Sequence, residues 1–291
     1  MKVSQLMDQL VSMQTPSGAF PSTVDTLDGR KADETCFVTA SVVLMLTEMY
    51  QLSDANPCLV RAVERGVACI ERCADPDLAG AFRFYPKDAE TYQVRRDLPP
   101  DADDTALAWM ALISSGARSQ SQAAAAIASL FDGVRVKARA RGDAPWVRAG
   151  VYRTWLAASV AINPADLCVN ANILACRAMA GLPPDPALSE TLSSALKRWQ
   201  VSSASLRMLA PYYAHPDEIG FAMARAERVG AVGGSSWSLP PQAQSEDQPL
   251  YCNSHGRPFW RAPALHRARH LQRALIQSKE IANAPDAAIC S

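Results

Sequence analysis

The chain has 291 residues, 48% hydrophobic and 20% charged, with 29 basic and 29 acidic side chains and a formal net charge of zero. So apolar a composition excludes a disordered, collagen-like or coiled-coil chain, and the balanced charge lacks the cationic excess of a non-specific nucleic-acid binder. No run reaches the roughly 18 apolar residues of a membrane span, so none is expected.

The first ten residues carry Lys2 and then Gln5, Asp8 and Gln9 where a signal peptide would be apolar. A cytoplasmic location is therefore expected, and the eight cysteines read as buried thiols rather than disulfides. Onward from there, apolar residues recur at three- and four-residue spacing. Helices are predicted over Glu34 to Tyr50, Pro57 to Cys73, Asp103 to Ser115, Gln120 to Phe131, Val151 to Ala161, Asp166 to Ala180, Pro186 to Trp199, Pro216 to Val229 and Ala262 to Ile276. Pro- and Gly-containing turns separate them, and no run of β-branched and aromatic residues alternates convincingly. The predicted class is all-α, with the whole of residues 1–291 in one domain.

Repeats refine that class. Gly18-Ala19-Phe20 returns 62 residues later as Gly80-Ala81-Phe82, and a further 62 residues on lies Gly142, leading into Pro145-Trp146. Acidic segments open the helices that follow: Asp33-Glu34-Thr35, Asp103-Asp104-Thr105 and Asp166-Leu167-Cys168. Offsets of 70 and 63 residues between them hold a helix pair each. Helix pairs that cannot bury their own faces must stack. Closure of the stack into an α/α toroid, with helix N-termini around a central cavity, is favoured over an open array, because no fixed shorter period and no polar caps appear.

The most informative string is Asp101-Ala102-Asp103-Asp104-Thr105-Ala106. One aspartate suffices to cap a helix. Three carboxyls within four residues repel one another, and in an apolar cavity at least one pKa rises, which keeps a Brønsted acid protonated near neutrality. This string resembles the D-x-D-D-T-A motif of class II terpene cyclases such as the squalene–hopene cyclases, and Gln14-Thr15-Pro16-Ser17-Gly18-Ala19-Phe20 is similar to their repeated Q-x3-G-x-W turn with Phe for Trp. Gly80-Ala81-Phe82 and Gly234-Ser235-Ser236-Trp237 are weaker echoes.

The resemblance implies a proton-initiated cyclisation of a linear isoprenoid or prenylated aromatic. By it Asp103 is the acid, Asp101 and Asp104 hold its proton ready, and His215 is the candidate polar partner; no metal or cofactor is needed. Aromatic faces stabilise a carbocation without trapping it, and the candidates are Trp109, Trp146, Trp155, Tyr212, Tyr213, Trp237, Phe259 and Trp260, with Trp146 and Trp237 first because they follow turns. Length for a single barrel points to a modest prenyl chain or a prenylated aromatic, as in single-domain meroterpenoid cyclases.

Rival readings remain open. A class I synthase would need D-D-x-x-D, which Asp103 to Leu107 lacks. Asp166-Leu167-Cys168 resembles the D-x-C ligand pair of protein prenyltransferase β subunits, with His215 or His255 as a third zinc ligand, and Cys252 to His255 also has metal-compatible spacing. A helical toroid could equally be a non-catalytic module for an apolar ligand. Asn170 and Asn172, inside an apolar helix, either line the cavity or bridge helices. Arg257 to His270 is basic and amphipathic, suited to a peripheral membrane contact or to a solvated face.

Overall fold

The structure, a computed structural model, describes residues 3–52, 57–86, 98–233 and 245–283. In chain order it comprises α1 (Val3–Ser12), β1 (Pro21–Thr26), β2 (Gly29–Glu34), α2 (Cys36–Leu52), α3 (Pro57–Arg72), α4 (Ala102–Ser114), α5 (Gln120–Gly133), α6 (Leu167–Met179), α7 (Pro186–Arg198), α8 (Ser203–Leu209), α9 (Asp217–Arg228), β3 (Tyr251–Cys252), β4 (Phe259–Arg261) and α10 (Pro263–Asn283). Trp237 and its Gly234-Ser235-Ser236 turn lie outside the described residues.

The helices alternate between two environments. In α4 every residue from Ala102 to Leu112 is buried, and in α6 every residue from Leu167 to Cys176. Both are apolar nearly all round, the composition of a helix without a solvent face. By contrast α5 buries only Ala123, Ile127 and Phe131, and α7 buries a single stripe from Leu188 to Leu196. Each inner helix packs on the outer helix that follows it: α2 on α3, α4 on α5, α6 on α7. The inner helices also pack in succession, α2 against α4, α4 against α6 and α6 against α9, while α10 packs on α2 and α1 on α10. Buried Arg269 of α10 reaches Glu218 of α9. The helix-pair repeat read from the sequence is therefore present.

Its register differs from the one predicted. Side-chain caps at the starts of α2, α4 and α6 come from Thr35, Asp101 and Asp166. One turn further into each helix, Thr39, Thr105 and Asn170 accept the backbone N–H of Phe20, Phe82 and Tyr152, at 3.2, 2.9 and 2.8 Å. Each inner helix thus latches an aromatic residue of the preceding turn. The third turn is Gly150-Val151-Tyr152, not Gly142 with Trp146. The first is tied down by Gln14, whose Nε2 donates to the carbonyls of Gly18 and Ala62 at 2.9 and 2.8 Å. Gly18 has φ +88, and a Cβ there would collide with the Arg65 carbonyl. Gly18→Ala is therefore expected to destabilise the protein by about 2 kcal/mol or more, read as a lower midpoint in urea unfolding.

Two expectations are corrected. The molecule is not purely α: β1 to β4 form an antiparallel sheet in the order β2-β1-β4-β3. A hairpin pairs Pro21 with Glu34 through Thr26 with Gly29, and β4 joins β1 at Thr23 and Val24. Thr23 and Val24 are too short a β-branched signal, and the partner strands β3 and β4 are two and three residues long, more than 200 positions away. The predicted helix Val151 to Ala161 is instead extended and turning. Asn170 bonds both backbone groups of Tyr152, and Asn163 bonds both of Trp155, at 2.8–3.0 Å. With those groups satisfied by side chains, helical hydrogen bonds are not required.

Candidate active site

The starts of α2, α4 and α6 and the segment before α9 converge on a cavity of about 270 Å³, lined among others by Phe37, Asp101, Asp103, Asp104, Val169, Tyr212 and Tyr213. Phe84, Trp155 and the sheet residues Tyr251 and Trp260 add to its wall, and the stretch Cys252 to His255, which includes the zinc candidate His255, lines it as well. Tyr251 and Trp260 are register partners across β3 and β4, which stacks their rings 5.4 Å apart with 13° between planes.

The three aspartates divide their labour. Asp101 is the cap: its Oδ1 accepts the backbone N–H groups of Asp103 and Asp104 at 2.9 and 2.8 Å. Burial pushes its carboxyl up to about 7. Asp104 shares a hydrogen bond with Asp101, and burial together with that neighbouring carboxyl holds its pKa well above the usual range, so the pair retains a proton. Asp103 is held from other elements. Asn172 of α6 donates its Nδ2 to Asp103 Oδ1 at 2.7 Å, and the Tyr213 hydroxyl donates to Oδ2. Buried Arg225 of α9 donates in turn to Asn172 Oδ1. Burial raises the Asp103 pKa, and Asn172, Tyr213 and Arg225 oppose that rise.

By cap register, Asp103 and Asp104 stand where α2 has Phe37 and Val38 and α6 has Cys168 and Val169, all buried. Capping is complete without them, so neither carboxyl is there to start the helix.

The other sequence candidates scatter. Trp155, Tyr212, Tyr213 and Trp260 line the cavity, and Trp155 Nε1 donates to the Tyr212 hydroxyl at 2.6 Å. Trp146 and Trp109 are core residues whose indoles donate to the carbonyls of Met208 and Gly80, at 2.9 and 2.8 Å. Phe259 does not line the cavity, and the Arg257 guanidinium lies 5.8 Å from its ring centre. His215 does not meet Asp103: its Nδ1 accepts the Asp217 backbone N–H at 3.3 Å at the start of α9. The place expected for it is filled by Tyr213 and Asn172. Arg225 carries no sequence signal of its role, since its link to Asn172 spans 53 positions.

Asp166 and Cys168 do not assemble a ligand set. The Asp166 carboxylate already accepts from the backbone N–H groups of Cys168, Val169 and Tyr212, at 2.8, 3.3 and 3.1 Å. Among the described residues no group of three His, Cys, Asp or Glu side chains is placed to hold a metal ion. The seven described cysteines are free thiols, all buried except Cys58. Nor is the basic stretch toward α10 a free cationic face: Arg261, Arg267 and Arg269 pair with Asp25, Glu246 and Glu218. Among the described residues no helix is long and apolar enough to cross a membrane.

Burial also pushes Asp33 up to about 6 and Asp166 up to about 8. Between their ordinary value of 3.8 and these values the folded chain binds more protons than the unfolded one, so stability falls as pH rises. Asp25, Asp75 and Asp143, lowered with Arg261, Arg83 and Arg153 beside them, act in the opposite sense only below 3.8, and His266, lowered by burial, offsets part of the fall up to its ordinary 6.5. Thermal unfolding followed by circular dichroism is thus expected to show Tm declining from about pH 5 to about pH 8.

No protein-family model matches the chain, and no curated protein matches it. Among solved structures, type II terpene cyclase MstE from Scytonema, as a variant in complex with geranylgeranyl dihydroxybenzoate (substrate), gives a TM-score of 0.47 at 16% identity, covering 78% of this chain and 57% of that one. A second MstE variant without ligand gives 0.46 at 16% identity, covering 78% and 56%. A sugar epimerase from a ruminal bacterium gives 0.43 at 13% identity, covering 79% and 66%. This chain spans little more than half the length of MstE. Every one of these scores is below 0.5, and the functional reading rests on the site itself.

Proposed function

We propose that the chain is a class II, proton-initiated isoprenoid cyclase, built as a single α/α toroid whose inner helices α2, α4 and α6 open onto the reaction cavity. The observation that carries this reading is the pair of buried carboxyls, Asp103 and Asp104, set into an aromatic-walled cavity where the equivalent positions of α2 and α6 are apolar. Burying ionisable groups is costly unless they are used or paired.

Asp103 delivers its carboxyl proton to a terminal alkene or epoxide. With an alkene the π pair forms the new C–H bond; with an epoxide the ring oxygen takes the proton and its C–O bond breaks. In either case the next double bond attacks the electron-poor carbon, and ring closure moves positive charge along the chain. Loss of a proton to water from a carbon beside the final cation restores neutrality, Asp103 regains a proton from solvent, and the product is an isomer of the substrate. The Tyr213 hydroxyl can reverse its hydrogen bond and accept from protonated Asp103, which keeps the acid oriented in both states. Asp101 and Asp104 stand beside it with the pair's proton.

A cavity of about 270 Å³ lies just below the usual range of small-molecule sites. It suits a modest prenyl chain or prenylated aromatic rather than squalene. The test is incubation of chelator-treated protein with linear prenyl diphosphates, their epoxides and prenylated aromatics, read by mass spectrometry. A cyclic product of unchanged mass is the expected result. Saturable binding of such compounds with no turnover across the panel would replace the enzyme by a ligand-binding toroid.

A further inference from the structure

Asp33, on β2, is 1% exposed and does not line the cavity. One of its oxygens, Oδ2, accepts from the Trp260 indole N–H at 2.8 Å and from the Tyr85 hydroxyl at 3.0 Å. The other is buried and accepts no side-chain hydrogen bond among the described residues. Asp25, Asp75, Asp143 and Asp185 are each paired with an arginine, whereas Asp33 forms no ion pair among the described residues. Among the described residues this buried carboxylate is held only by neutral donors, with no counter-charge beside it.

The cavity wall indicates where one would sit. From Asp103 a row of rings leads away: Tyr213 bonds the acid, Phe37 follows at 6.0 Å between centroids, Tyr251 at 4.9 Å from Phe37, and Trp260 at 5.4 Å from Tyr251. Asp33 stands behind the last ring. Ring faces attract cations, and a carboxylate accepting the indole N–H adds electron density to that ring. We propose that Tyr251 and Trp260, with Asp33 as the counter-charge behind them, form a binding site for a lipophilic cation at the end of the aromatic row. Resting on the cyclase reading, that cation is the carbocation after it has moved away from Asp103, and Asp33 is the positioning residue that draws charge to this wall.

The site can be tested without turnover by titrating the protein with geranyldimethylamine, protonated at neutral pH, against the neutral hydrocarbon of the same shape. Wild type is expected to favour the ammonium by about tenfold or more. Asp33→Asn keeps the shape and removes the charge, and the preference is expected to fall to within about threefold. Asp103→Asn is expected to retain it. Should Asp33→Asn fail to fold, Trp260→Phe retains a ring and removes the N–H link to Asp33, and the same fall in preference is expected of it. An unchanged preference in the folded Asp33 or Trp260 variant overturns the site, as does a preference lost in Asp103→Asn. Cyclisation without ammonium preference rejects this site but not the cyclase; ammonium preference retained by Asp103→Asn in a chain that cyclises nothing does the reverse.

Discussion

Asp103→Asn is expected to lower cyclisation by about four orders of magnitude, the upper range for a general acid, while leaving the fold intact. The amide oxygen can still accept from Asn172, so the contact between α4 and α6 survives. What disappears is the transferable proton, for which an amide offers no substitute. Asp101→Asn provides the contrast. Its oxygen still caps α4 through the N–H groups of Asp103 and Asp104, and only the proton reservoir beside the acid is altered, so a smaller loss with a shifted pH–rate profile is expected. Single-turnover assays of both variants, with circular dichroism to confirm folding, check the difference. Equal losses in the two would remove the assignment of the acid to Asp103.

The largest stability effect is expected at the contact between α9 and α10. Arg269 grips Glu218 with two hydrogen bonds of 2.7 and 2.6 Å, both partners are nearly sealed from solvent, and the guanidinium lies 3.7 Å from the centre of the Phe221 ring. Glu218→Gln strands a buried guanidinium and should cost about 3–5 kcal/mol in urea unfolding. Replacing both members, Glu218→Leu with Arg269→Met, should recover most of that, because two desolvated charges leave together. A double variant no more stable than Glu218→Gln would show that packing rather than the charge dominates.

What can be read from the sequence is local. The acidic string is contiguous, and its placement at the start of a wholly buried helix follows from the apolar residues after it. Inner and outer helices are recognisable because their apolar residues repeat within a few turns. The errors are non-local. Val151 to Ala161 has helical spacing, but Asn163 and Asn170 take its backbone groups. The repeat register fails because Asp33 looks equivalent to Asp103, while Thr35 does the capping and Asp33 sits on a strand. His215 is the obvious polar partner by residue type; the groups that meet Asp103 come from 69 and 110 positions away. Asn172 stands out as an unusual buried amide, yet its partner Arg225 carries no local mark.

Because Thr35, Asp101 and Asp166 each start a helix alone, the second and third positions after each of them are free of that duty. Two positions in each first turn are therefore open to residues that the helix start does not dictate. The pairs Phe37-Val38, Asp103-Asp104 and Cys168-Val169 occupy the same place in three helix starts, so on the proposed chemistry the position of the acid is set by which start carries the carboxyls. On the proposed chemistry, relocating the acid takes four substitutions, two that install carboxyls and two that remove them, together with new partners in place of Asn172 and Tyr213.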